Sequence, residues 1–319
     1  MIYILLFFLS FILTYLIKEY SIKKSLLDIP NERSSHSVAT PHGGGIAIAI
    51  TWFSGISYLY FTDHINTSLY LALMVGLIIS IVSYIDDIYN LSAKTRLLFQ
   101  ALVAFGGLYF LGGLNTIDLG VFSINNHILT NIVAFFIIVW FINLYNFLDG
   151  IDGYAGSEAI FLGFAGFLLF GGEHFIVLVA SVGGFLLWNW HRAKIFMGDV
   201  GSTLLGYNIA IFTLYYQNEG TSLLVWFILF GVFFFDATLT LFRRFKNSEK
   251  LSQAHKKHAY QRLTQAGWSH EKVVVFSILV NILLFLIVYL LTNIFIAFLI
   301  AIFFLYSIIR FVDSKKAFE

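Results

Sequence analysis

The chain has 319 residues, 59% of them hydrophobic and 18% aromatic, and only 12% are charged, about half the charged share of an ordinary soluble domain. Charges this sparse cannot cover a globular surface, which excludes a water-soluble fold. The formal net charge of +1 gives no basic excess to hold a nucleic-acid backbone, and with no Cys there is no disulfide, thiolate metal site or cysteine nucleophile.

About 20 apolar residues cross a hydrocarbon core as helix, fewer where flanking side chains snorkel. In chain order the runs are Ile2 to Ile17, Gly44 to Phe61, Leu69 to Ile85, Leu97 to Gly113, Ile128 to Tyr145, Tyr154 to Phe170, Phe175 to Trp190, Leu204 to Tyr216, Leu223 to Phe242, Val273 to Leu291 and Ile294 to Phe311. They predict an all-α, polytopic membrane protein of about eleven transmembrane helices. Ten is the alternative count, because the eighth run is short and little more than Thr292 and Asn293 separates the last two. The first run has no basic residue before Lys18 and is expected to be a retained helix rather than a signal peptide. No repeat and no appended soluble domain is visible, so residues 1–319 read as a single transmembrane domain.

Alternate connections collect all 19 Lys and Arg on one side, and the loops around Asp63, Asp118, Glu173 and Glu219 have none. The positive-inside rule puts the basic side, with the C-terminus, in the cytoplasm and the N-terminus outside.

Acidic residues at membrane depth are costly and need a reason to be there. Asp86 and Asp87 close the third run, Asp149 and Asp152 follow the fifth in NFLDGIDG, and Asp199 follows the seventh in KIFMGDVGS. All five fall on the basic side. Oxygen ligands beside cations suit Mg²⁺ holding substrate phosphates, with the lysines and arginines taking phosphate charge. A single such residue could merely mark a helix end; five on one face argue for a site. His255 and His258 in AHKKHAYQRL would share a face if that segment were helical, and phosphate or substrate contact suits them better than zinc. Asp236, two turns before Arg243 and Arg244, is expected to pair within the bundle or face the site. No P-loop and no HExxH motif is present.

Several ordered motifs, in a match that runs from about Pro30 to Arg262, are together specific. They are Asp28, Pro30, Arg33, Ser34, His36, Pro41, Gly43 and Gly44; the pair Asp86 and Asp87 followed by Lys94 and Arg96; Asn143, Asn146, Asp149, Gly150, Asp152 and Gly153 as NxxNxxDGxDG; and Gly198, Asp199, Gly201 and Ser202 as GDxGS. The chain resembles the polyprenyl-phosphate N-acetylhexosamine-1-phosphate transferases, glycosyltransferase family 4. In place of the family's histidine-rich motif it has only His255 and His258, then Tyr260, Gln261 and Arg262, and so looks most like the bacterial branch that starts O-antigen or capsule repeats.

The resemblance implies catalytic roles and Mg²⁺ ligation for Asp86, Asp87 and Asp199, with Mn²⁺ as an alternative ion. It implies substrate binding by Arg33, His36, Lys94, Asn143, Asn146, Asp149, Asp152, Lys194, His255, His258 and Arg262. The implied donor is a UDP-N-acetylhexosamine carrying GlcNAc or a 6-deoxy relative such as QuiNAc or FucNAc, and the acceptor is undecaprenyl phosphate. The implied setting is the bacterial cytoplasmic membrane, in contact with lipid, with the active site on the cytoplasmic face and with room for a homodimer. The competing class is a secondary transporter or channel using the acids as a cation path; it is disfavoured because they lie in loops at one face and no repeated halves are visible.

Overall fold

The computed structural model describes residues 1–30, 38–251, 253 and 255–318. Arg33, Ser34 and His36 lie outside the described residues.

Helices dominate, and each apolar run corresponds to one of them or to a closely joined pair. They are α1 (Ile2–Lys23), α2 (Gly45–Phe61), α3 (Thr67–Met74), α4 (Gly76–Tyr89), α5 (Ala93–Leu111), α6 (His127–Leu148) and α7 (Tyr154–Phe170). After them come α8 (Glu173–Asn189), α9 (Asp199–Asn218), α10 (Leu224–Leu229), α11 (Gly231–Lys246), α12 (Ala259–Gln265), α13 (His270–Leu290) and α14 (Ile294–Lys315). Five helical segments are long and apolar enough to cross a bilayer unaided: α1, α3 with α4, α6, α13 and α14. The third and ninth runs break into two helices, α3/α4 at Val75 and α10/α11 at Phe230.

Polar side chains set the helix starts. Asn66, Ser92, Asn126, Ser269 and Asn293 each accept backbone N–H groups of the following first turn, at 2.8 to 3.2 Å. These bonds satisfy donors that lipid could not.

Helix α9 is the centre of the bundle, packed by α6, α4 and α2, with 17 of its 20 residues buried. This explains the short, less apolar eighth run: its neighbours are protein, so it need not be lipid-soluble over its whole length. Helices α1, α13 and α14 are peripheral and present mostly exposed apolar faces. Close packing against α9 requires glycine. A Cβ on Gly45 would lie 2.2 Å from the Gly201 nitrogen, so the starts of α2 and α9 can meet only without one.

Two small antiparallel strand pairs occur. β1 (Leu27–Asp28) pairs with β2 (Thr40–Pro41), Leu27 opposite Pro41, on the side where α8 ends and α9 begins; β3 (Ile117–Asp118) pairs with β4 (Ser123–Ile124) between α5 and α6. Cross-links sort the connections into two ends. At the β3–β4 end, Asn66 donates to Tyr215 at 2.6 Å, Asn218 to the Gly113 carbonyl at 2.8 Å and Ser222 to the Asp118 carbonyl at 2.6 Å. Tyr3 donates to Glu173, which also meets His64 at 3.0 Å. The described lysines and arginines lie in the helix ends and connections of the other end, with the five aspartates.

Candidate active site

Three backbone bonds anchor the floor of the site. Phe196 N–H donates to the Pro41 carbonyl at 2.8 Å, and the N–H groups of Gly44 and Gly45 donate to the carbonyls of Phe196 and Met197 at 2.9 and 2.8 Å. They join the entry to α2 to the entry to α9, where Asp199 is the first helical residue.

A cleft of about 700 Å³ opens at this end, and Asp86, Asp87, Asp149, Asp152 and Asp199 all line it. Carboxylates as far apart in sequence as Asp86 and Asp199 thus share one wall. Asn146 donates to Asp199 Oδ1 at 2.8 Å and to Ser202 Oγ at 2.9 Å, fixing one oxygen of that carboxylate. Asp86 accepts the Leu91 N–H at 2.6 Å and the Arg96 guanidinium at 3.2 Å, so it holds the α4–α5 turn as well as facing the cleft. Asp87 lies against Gly198, the residue before Asp199. Burial, then the neighbouring Asp199 carboxylate, raises the Asp149 carboxyl to about 7. Burial also acts to raise Asp152, but hydrogen bonds from His270, Ala193 N–H and His191, with the charge of His270, outweigh it and hold the group below its ordinary value.

A second cavity of about 450 Å³ adjoins the first and is mainly apolar, lined by Ile79, Val82, Leu97, Phe147, Leu241 and Leu251 among others. Asp86, Arg96, Asn146, Asp199, His255 and Gln261 line both cavities. The polar and apolar spaces therefore meet at Asp199.

The segment before α12 roofs this junction. Buried Arg244 donates to Glu249 at 3.0 Å and to the carbonyls of Lys250, Leu251 and Gln253 at 2.7 to 3.3 Å, shaping the chain ahead of His255. His255 precedes α12 and His258 is its N-cap, so the two do not share a helix face, yet their rings sit 4.8 Å apart. Burial, then His258 and Arg244, lowers His255 to about 4, so the ring stays neutral near pH 7. Tyr260 seats this roof on the aspartate loop: a Cβ on Gly150 would fall 2.0 Å from its hydroxyl, which donates to the Phe147 carbonyl at 3.3 Å.

Some residues expected to bind substrate lie elsewhere. Arg262 is buried against Asp313 at 2.6 Å and the Lys316 carbonyl at 3.0 Å, and lines neither cavity. Lys194 lies over the Trp188 ring, 5.4 Å from its centre, and Lys94 is exposed on the first turn of α5; neither lines either cavity. Asn143 lines the apolar cavity but is engaged with Gln100 in a reciprocal amide pair at 2.7 and 3.3 Å. In the opposite sense, His42, Asn189, Gln261 and His270 line the polar cleft although the sequence motifs do not mark them as site residues. Arg96 had a signal, its place in the paired-aspartate motif. Asn189 had none; it ties Gly153 N–H at 3.0 Å to the Ile195 carbonyl at 2.9 Å.

The family profile described as "Glycosyl transferase family 4" matches residues 69–217. The chain is similar to a "probable undecaprenyl-phosphate N-acetylglucosaminyl 1-phosphate transferase" of Bacillus subtilis, with 34% identity over 85% of this chain and 78% of that one. It is similar to an "undecaprenyl-phosphate alpha-N-acetylglucosaminyl 1-phosphate transferase" of Thermotoga maritima, with 27% identity over 86% of each. It is also similar to a "decaprenyl-phosphate N-acetylglucosaminephosphotransferase" of Mycobacterium leprae, with 30% identity over 77% of this chain and 71% of the relative.

Proposed function

The chain belongs to glycosyl transferase family 4, and on that premise we propose that it transfers N-acetylglucosamine 1-phosphate from UDP-GlcNAc to a polyprenyl phosphate, releasing UMP. The observation that carries the reading is the junction of a polar and an apolar cavity at Asp199. A water-soluble nucleotide sugar and a lipid phosphate are unlike in every part except their phosphates, and two such cavities let only the phosphates meet. The polyprenyl acceptor and the GlcNAc phosphate are supported by the names of the similar proteins.

In this reading an oxygen of the lipid phosphate attacks the β-phosphorus of the donor, and the bond from that phosphorus to the oxygen bridging it to the α-phosphate breaks. UMP departs with the electron pair. The nucleophile is already anionic, so alignment and charge neutralisation are the main tasks. Arg96, lining both cavities, takes acceptor phosphate charge, and the neutral His255 ring offers a hydrogen bond without adding charge. Asn146 holds Asp199 in one orientation. Asp149 and Asp152 face the donor side.

The carboxylates fit Mg²⁺. Asp87, Asp149 and Asp199 crowd one wall, and hard oxygen donors left open to phosphates and water are the set that ion takes. Asp199, with Asp87 or Asp149, would hold it, and when bound it supplies neutralisation of the diphosphate. By the positive-inside rule the site faces the cytoplasm; in this reading the membrane is a bacterial inner membrane and the product starts a cell-surface polysaccharide.

The test is UMP release by the purified full-length protein, offered undecaprenyl phosphate, Mg²⁺ and either UDP-GlcNAc, UDP-QuiNAc or UDP-FucNAc. Lipid- and Mg²⁺-dependent UMP with UDP-GlcNAc is expected. UMP with a 6-deoxy donor alone would move the sugar assignment, and no UMP with any donor would overturn the reading.

A further inference from the structure

At the rim of the polar cleft three residues from distant parts of the chain converge. Asp152 comes from the loop after α6, His191 from the turn after α8, and His270 is the first residue of α13. Asp152 Oδ2 lies 3.0 Å from His191 Nδ1 and 3.3 Å from His270 Nδ1, and one donor atom from each residue falls within 4.8 Å of the other two. We propose that Asp152, His191 and His270 form a binding site for a first-row transition-metal dication, separate from the carboxylate cluster around Asp199.

The spacing is the first argument. Metal–ligand bonds of about 2.0–2.1 Å in a tetrahedral site separate neighbouring ligand atoms by about 3.3 Å. Two edges of such a site already exist.

Ring orientation is the second. His270 Nδ1 lies 3.3 Å from both the backbone nitrogen and Oδ2 of Asp152, so a ring nitrogen, the atom that ligation uses, faces the cluster. Both contacts are long and yield at little cost to a metal. The two imidazoles stand edge to face, 65° apart with centres 5.7 Å apart, converging on the carboxylate rather than stacking on each other. Asp152 is further fixed by Ala193 N–H at 3.2 Å. The His191 and His270 side chains remain 31% and 14% exposed, which leaves a way in.

Ligand chemistry sets the ion. Two imidazoles and one carboxylate are a set used for Zn²⁺ and Fe²⁺, whereas Mg²⁺ takes oxygen ligands. Two different classes of dication are thereby sorted within one cleft. An ion at the histidine site also ties the aspartate loop to α13 and takes Asp152 out of the cleft wall. Zn²⁺ is therefore an inhibitor of transfer, a consequence that rests on the proposed function.

The test is titration of the full-length protein, purified without a polyhistidine tag, with Co²⁺ in the presence of excess Mg²⁺. Saturable visible d–d absorption of a four- or five-coordinate ion is expected at one equivalent, displaced by Zn²⁺. His191→Ala and His270→Ala should each weaken it by about tenfold or more, and Asp199→Asn should leave it unchanged. His191→Asn and His270→Gln, which stay close to the native side-chain size, guard against loss through misfolding. No such absorption in the parent protein, or absorption that survives the double His191→Ala/His270→Ala change, would overturn the site and leave the two rings as hydrogen-bond partners of Asp152. The spectrum needs no turnover, so it decides the metal site even if UMP release fails.

Discussion

The buried carboxylate of Asp236 accepts the Ala259 N–H on both oxygens at 2.8 Å and lies 3.6 Å from Nδ1 of His258. It holds the first turn of α12, and with it the histidine segment over the cavity junction, from the neighbouring α11. Removing the acceptor leaves the half-buried Ala259 N–H unpaired, at a cost of about 1–3 kcal/mol. A shifted roof is costlier for turnover than for stability, because small misplacements of reacting groups cost up to about 100-fold. Asp236→Ala is expected to lower kcat by about 10- to 100-fold with little change in donor KM. A rise in KM alone would place Asp236 in donor binding instead.

Asp199 and Asn146 give the second expectation. Asp199→Asn keeps the shape but loses the charge, and should reduce UMP release by about 10³-fold or more with the melting temperature nearly unchanged. Asn146→Ala leaves the charge but frees its orientation, so it should cost less, about 10- to 100-fold. Near-normal turnover of Asp199→Asn at saturating Mg²⁺ would remove that carboxylate from the metal site.

Much of this was legible because lipid enforces a simple code: long apolar runs, basic residues at one end, and acids only where they have partners. The runs located the helices, and NFLDGIDG and KIFMGDVGS located the cleft. What stayed hidden depends on contacts that sequence spacing cannot encode. The helix breaks at Val75 and Phe230 carry no proline or glycine at the break itself, although Gly76 and Gly231 follow. Asp152, His191 and His270 are brought together only by the packing of three helices. The resemblance puts Arg262 among the substrate-binding residues; its partner in the fold, Asp313, lies 51 residues on.

Asp149 makes stability depend on pH. Its carboxyl is held at about 7 in the fold, against an ordinary 3.8. Between about pH 4 and 7 the folded chain keeps a proton that the unfolded chain has lost, so stability falls as pH rises through that window. Asp149→Asn should flatten this dependence and, at pH 8 without Mg²⁺, stabilise by on the order of 1–2 kcal/mol after allowance for solvent screening. Melting temperatures from pH 4.5 to 8 in chelator check it. A variant less stable than the parent at pH 8 would show that Asp149 is better paired than its neighbours indicate.

Orientation can be read with single cysteines, since the chain has none of its own. Asn125→Cys lies at the β3–β4 end and Asn247→Cys at the aspartate end, both at exposed positions. In intact bacterial cells a membrane-impermeant thiol reagent should label the first and spare the second until the cells are opened. The reverse pattern would invert the topology drawn from the basic residues.

Arg262 and Asp313 offer a test in which the fold and the motif predict different results. Arg262 donates to Asp313 Oδ1 at 2.6 Å, Arg243 makes two bonds of 2.9 Å to the same carboxylate, and the Phe318 ring lies 5.2 and 5.5 Å from the two guanidinium carbons. These contacts pin the end of α14 to α11 and α12, outside both cavities. A sugar-binding Arg262 would change discrimination among UDP-sugars when replaced by Lys, because the planar fork is lost. A structural Arg262 would instead lower stability and scale kcat/KM for all donors alike. The geometry favours the second outcome: Arg262→Lys and Asp313→Asn should each destabilise by about 1–3 kcal/mol. Because they share one bond, the double variant should lose less than the two single losses added together. The measurement is a thermal double-mutant cycle with kcat/KM for UDP-GlcNAc, UDP-QuiNAc and UDP-FucNAc. Unequal losses among the three donors, with no coupling to Asp313, would return Arg262 to the sugar site.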